Sequence, residues 1–107
     1  MTQFQQMKDL SSQERLCFII EFLSKSFPKA LKTKELANIL RTKEANISRD
    51  ISVLEKFDFI SKNDNGIRLS MKFAKLSMSM KQGYDNAIAK LQREKEEYFS
   101  VQEEDEL

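Results

Sequence analysis

The chain contains no histidine and no tryptophan, one cysteine, one proline and only two glycines in 107 residues. Without histidine, no Ser-His-Asp or Cys-His catalytic arrangement can be built and no Cys/His zinc site can form. A single cysteine, Cys17, excludes an intramolecular disulfide. Its place in the apolar run Leu16 to Ile20 reads as a small buried hydrophobe rather than a reactive thiol. So few turn residues argue against an all-β domain and for helix. No glycine-rich phosphate loop is present. No apolar run approaches the roughly 18 residues of a membrane span, and the start MTQFQQMKDL lacks signal-peptide form. The expectation is a cytoplasmic protein with no membrane segment, no enzymatic activity, and no metal or cofactor.

What is present is charge, unevenly placed. The overall charge is +1, but residues 1–28 are neutral, residues 29–82 carry twelve basic and six acidic groups, and residues 83–107 carry three basic and eight acidic. A basic middle followed by an acidic end fits a nucleic-acid-binding domain with a differently employed C-terminal element.

Apolar spacing places the elements. Phe4, Met7 and Leu10 are three apart, which fits either a short packed helix or a frayed arm over residues 1–10. Ser11 and Glu14 have capping-box spacing ahead of a helix over about 12–26. That helix carries Leu16, Ile19, Ile20, Leu23 and Phe27 on one face, and Cys17, Phe18 and Phe22 widen it. Phe27-Pro28 ends it, because the residue before proline is disfavoured in helical geometry. Ala30 to Lys32 reads as extended. Thr33 is placed to cap a helix to about Leu40 bearing Leu36, Ala37 and Leu40, with Glu35 at its positive end. Thr42 is placed to cap a further helix to about Phe57, with Glu44 in its first turn. Its apolar positions Ile47, Ile51 and Leu54 recur at i, i+4, i+7, leaving Lys43, Glu44, Asn46, Ser48, Arg49 and Asp50 outward.

Phe59 to Lys62 and Ile67 to Leu69 read as strands joined at Asn63 to Gly66, where Asn-Gly suits the positive φ angles of a type I′ turn. So short a hairpin must lean on the helices to be stable. From Met71 to Phe99 no proline interrupts, and Gly83 is the weak point, at about 1 kcal/mol relative to alanine. Phe73, Leu76, Met80, Tyr84, Ala87 and Leu91, continuing to Tyr98, step by three and four. From Met80 this is a heptad-like seam if Glu94 is counted. A helix of roughly 28 residues spans about 40 Å, more than a small domain covers. Such a helix reads either as a solvated overhang rich in i,i+4 charge pairs or, the favoured reading, as a two-stranded dimerisation helix with Met80, Tyr84, Ala87, Leu91 and Tyr98 as the contact candidates. Residues 100–107, half of them acidic, read as a disordered tail. The division is a domain over 1–70, a long helix over 71–99, and the tail.

Thr33 through Leu69 resembles the winged helix-turn-helix domains of bacterial repressors of the DeoR, ArsR and IclR kinds. Ala37 falls at the helix-turn-helix alanine. Ile47-Ser48-Arg49-Asp50-Ile51 followed by Leu54 looks like their recognition helix. Phe59-Ile60 and Gly66-Ile67-Arg68-Leu69-Ser70 look like the strands of the wing. The chain departs from them at Arg41 and Asp58, where many such domains have glycine, and at Thr42, where many have an apolar residue. None of the large ligand-binding domains of DeoR and IclR proteins follows. The resemblance implies a mainly α fold with a small β-hairpin, a winged helix-turn-helix plus a long C-terminal helix. It also implies that Ala30 to Lys32 pairs with the wing.

On that reading the partner is double-stranded DNA. Asn46 and Arg49 are the candidates for base edges, since Asn can bond adenine and Arg guanine bidentately. Thr42, Lys43 and Ser48 are the candidates for phosphate, and Lys62, Asn63, Asn65 and Arg68 for the minor groove or backbone. Glu44 caps, or accepts from cytosine, and Asp50 orients Arg49 or faces away. A homodimer would bind an inverted repeat and act as a transcriptional regulator, most simply a repressor. The rival expectation is a protein-interaction and assembly module that reads no DNA sequence, with the C-terminal helix as its partner surface.

Overall fold

The computed structural model describes residues 9–106, with side chains through Ser100; Phe4 and Met7 lie outside the described residues. In chain order the elements are α1 (Ser12–Ser26), α2 (Thr33–Ile39), α3 (Glu44–Lys56), β1 (Ile60–Asn63), β2 (Gly66–Leu69) and α4 (Met71–Glu106). The chain divides into two units, Met1–Phe73 and Ala74–Leu107.

In the first unit, α1 starts with the expected capping box. Ser11 Oγ accepts from the Glu14 N–H at 3.2 Å, and the Glu14 carboxylate accepts from the Ser11 N–H at 3.0 Å. Ile19 and Leu23 are wholly buried, with Leu16, Phe18, Ile20 and Phe22 packed around the core. Two expectations for this helix fail. Cys17 is exposed, because it falls on the flank opposite Ile19 and Leu23. Phe27 is 53 % exposed; it follows the last helical turn, and its extended backbone (φ −53°, ψ 137°) turns it out of the face that Ile19 and Leu23 share.

Neither threonine is the helix cap that its position suggested. α2 begins on Thr33 itself, with Lys32 as the capping residue, and the Glu35 carboxylate accepts from the Lys32 N–H at 3.1 Å. α3 begins at Glu44 after Lys43. Thr42 Oγ1 instead accepts from Asn46 Nδ2 at 2.9 Å.

Both α2 and α3 end in the same way. After α2, the Thr42 N–H donates to the Ala37 carbonyl and the Arg41 N–H to that of Asn38. After α3, the Phe59 N–H donates to the Leu54 carbonyl and the Asp58 N–H to that of Glu55. These paired bonds form a Schellman ending, which puts one residue in the left-handed region. That residue is Arg41 (φ 53°) in one case and Asp58 (φ 63°) in the other.

The strands pair antiparallel, Ile60 opposite Leu69 and Asn63 opposite Gly66. Asp64 and Asn65 form the loop, so the hairpin turn falls at Asn63 to Gly66 as expected. Among the described residues the only positive φ angles fall at Asp9, Arg41, Asp58 and Gly66, so the loop is not type I′. The Asn63 side chain closes it, accepting from the Asn65 N–H at 2.8 Å. Leu31 adds an antiparallel bridge, its N–H and carbonyl each bonded to Ile67 at 2.8 Å. Gly66 (φ 130°) lies where a Cβ would come within 2.4 Å of the Leu31 carbonyl oxygen. Any side chain there would displace the Leu31 backbone.

The core joins all these pieces: Ile19 and Leu23 from α1, Leu31, Leu36, Ala37 and Leu40, Ile47, Ile51 and Leu54 from α3, and Ile60 and Ile67 from the hairpin. Lys72, at the start of α4, donates to the Phe57 carbonyl at 2.5 Å, beside the C-terminal end of α3, where a cation suits the helix dipole.

α4 continues as one helix to Glu106, past the expected end at Phe99 and into the segment read as a disordered tail. No proline or glycine follows Gly83 to stop it. From Ala74 through Ser100 every residue is exposed. No helix among the described residues is long and apolar enough to cross a membrane.

Candidate nucleic-acid interface

α3 presents its polar side chains through the phase set by Ile47, Ile51 and Leu54. With those three buried, Ser48, Arg49 and Ser52 face solvent. The two side chains expected at base edges are bonded to each other: Arg49 Nη2 donates to Asn46 Oδ1 at 2.8 Å. Asn46 in turn donates to Thr42 Oγ1. Thr42, Asn46 and Arg49 therefore form one hydrogen-bonded row, running from the α2–α3 turn onto the first two turns of α3. The amide orientation of Asn46 is defined at both ends, and the guanidinium keeps further N–H groups free to donate to an acceptor.

Ser48 belongs to a second group. It lines a shallow cleft with Lys62, Asn63 and Gly66 of the hairpin and with Thr33 and Ser52. Three of these six were expected as contacts. Ser52 shares a face with Ser48 by its i+4 spacing, a signal present in the sequence. The position of Thr33 beside the hairpin follows from the Leu31 bridge, which local spacing does not reveal. Lys43, Asn63 and Asn65 are exposed. Lys62 is exposed too and pairs with Glu55 at 3.2 Å, an ion pair that water keeps weak. Arg68 is held elsewhere: Nη1 donates to the Pro28 carbonyl at 3.3 Å, and its guanidinium lies 5.7 Å from the centre of the Phe27 ring.

Asp50 corrects the expectation that it lies among the outward residues of α3. It is 3 % exposed and takes a forked ion pair from Arg15 on α1, Nε to Oδ2 at 2.6 Å and Nη2 to Oδ1 at 3.2 Å. Arg15 also donates to the Leu10 carbonyl at 3.1 Å. The Arg15 pKa is raised, chiefly by the bond to Asp50. The inward turn of Asp50 removes the negative charge next to Arg49 from the outer face.

The electrostatics of α3 are more balanced than the charge of residues 29–82 suggests. Lys43, Arg49 and Lys56 are matched in number by Glu44, Asp50 and Glu55. With Asp50 turned inward and Glu55 paired to Lys62, the exposed charges left on α3 and its capping residue are Lys43, Glu44, Arg49 and Lys56. Comparison with known proteins finds no matching family model, no matching curated protein and no matching solved structure.

Proposed function

We propose that the Met1–Phe73 unit is a winged helix-turn-helix that binds double-stranded DNA sequence-specifically, with α3 in the major groove and the β1–β2 hairpin as the wing. The observation that carries this is the Thr42–Asn46–Arg49 row. Two side chains suited to purine edges lie on the solvent side of one helix, pre-ordered by bonds to each other. Pre-ordering lowers the entropy lost when they meet a base. Thr42, Lys43 and Ser48 are placed for phosphate, and Lys62, Asn63 and Asn65 for the backbone beside the wing. Arg68 supports the strand it sits on. α4 holds two copies together through Met80, Tyr84, Ala87, Leu91 and Tyr98, so the site is an inverted repeat and the protein a transcriptional repressor.

Selection of bound duplexes from random DNA, followed by anisotropy titrations, tests this. Arg49→Ala should weaken the selected site about 5- to 160-fold, the equivalent of about 1–3 kcal/mol, and relax preference at one base pair. Lys43→Ala should weaken all sequences alike and flatten the salt dependence by about one unit of log–log slope. Duplex binding indifferent to both changes rules out α3 as the reading helix, and no binding at low salt rules DNA out.

The near balance of charge on α3 favours one other reading, an assembly module whose partner is a protein met through α4. It predicts no duplex selection at all, with association surviving high salt.

A further inference from the structure

α4 from Ala74 onward is a solvent-exposed helix that nonetheless carries large apolar side chains: Met80, Tyr84, Ile88, Leu91 and Tyr98 are each 63–72 % exposed. On a helix of 3.6 residues per turn, these five and Ala87 share one side, and Glu94 lies within it. We propose that this face is covered by a second copy of the same chain, and that the two α4 helices run antiparallel, centred near Ala89. The inference rests on α4 being the self-association surface and is independent of whether α3 meets DNA.

Two observations choose the direction. The first is Glu94. In a parallel, in-register pair each seam residue meets its own copy, so two Glu94 carboxylates would face one another in the seam. The seam positions 80, 84, 87, 91, 94 and 98 are symmetric about 89. An antiparallel pair therefore sets Met80 against Tyr98, Tyr84 against Glu94 and Ala87 against Leu91. The Tyr84 hydroxyl can donate to the Glu94 carboxylate, a thioether meets an aromatic ring, and a small residue meets a large one.

The second observation is the charge along the helix. Residues 71–82 hold three lysines and no acid, whereas residues 83–107 carry a net −5. Parallel pairing stacks the acidic ends on each other; antiparallel pairing lays each acidic end along a basic start. The adverse contacts that remain are Lys90 near its own copy and Lys81 near Lys95 of the second copy, at the solvent edges where screening is strongest.

Cysteine pairing in the full-length chain tests the direction, with Cys17→Ser as background because Cys17 is exposed. Met80→Cys and Tyr98→Cys are made in separate chains; both sites are exposed, so folding is not at stake. A disulfide needs Cα atoms within about 7 Å. In the antiparallel pair two copies of residue 80 lie about 27 Å apart along the helix. Mixing the two variants and oxidising should give the mixed disulfide, and neither variant alone should crosslink. Crosslinking of Met80→Cys with itself would overturn the antiparallel arrangement and leave the dimer standing. A monomer in sedimentation equilibrium at tens of micromolar would overturn self-association through α4 altogether.

Discussion

Asp50 is the residue whose surroundings most alter how α3 works. Its carboxylate is buried and forked onto Arg15, 35 positions earlier in the chain. Replacing Asp50 with alanine leaves a guanidinium with 13 % side-chain exposure facing a vacated site. Breaking a buried pair from one side costs about 3–5 kcal/mol, and water reaching Arg15 puts this case near the lower figure. Urea unfolding of Asp50→Ala should show the midpoint falling at constant slope. Joint replacement by Arg15→Met and Asp50→Leu should recover most of the loss, because the pair's attraction chiefly offsets its own desolvation. Glu14 makes a pH prediction at the same scale. Its pKa lies below the usual 4.5, chiefly because its carboxylate accepts the Ser11 N–H and then through the Ser11 hydroxyl. A lowered folded-state pKa means stability present in full above the unfolded value and lost as pH falls through the folded one. Thermal melts should therefore show the advantage of the native chain over Glu14→Ala at neutral pH, narrowing progressively below pH 4.5.

At the scale of elements, the helix-to-helix and helix-to-hairpin turns share one solution. Arg41 and Asp58 both take the left-handed φ that glycine adopts freely. The chain keeps the turn geometry without the residue that makes it easy, since the paired backbone bonds of each ending require it. Asparagine and aspartate tolerate that region better than most residues, so it suits Asp58 better than Arg41. Gly66 is different, because there the backbone of Leu31 leaves no room for a side chain. Gly66→Ala should destabilise the Met1–Phe73 unit by about 2 kcal/mol or more, combining a strained φ with a displaced neighbour. Hydrogen exchange should report the loss first at the Leu31 and Ile67 amides, which bond each other's residues.

For the whole molecule, the question is how one folded unit and one long helix divide the work. Among the described residues the fully buried core lies within 19–67, with residues from Leu10 to Leu69 packed against it, so the first unit has what it needs to fold without the distal part of α4. A chain ending after Gly83 should therefore remain folded but become monomeric in light scattering. On the proposed reading, its affinity for a full inverted repeat should fall toward that for a half-site. If the shortened chain remains a dimer, the half-buried aromatic flank of α1 around Phe18 and Phe22 becomes the interface to test.

The order of residues by itself determined the helices, the hairpin and most of the core. Capping boxes, apolar repeats and proline stops act between residues a few positions apart, where spacing is geometry. It also determined that α3 shows Ser48 and Arg49 to solvent, because burying Ile47, Ile51 and Leu54 leaves no other phase. Only the tertiary structure decided that Asp50 turns inward, since the charge that receives it comes from α1. It alone decided that Gly66 serves the Leu31 bridge rather than a type I′ turn. Those outcomes depend on pieces of chain that meet across tens of residues, and no local spacing encodes which surface an element will meet.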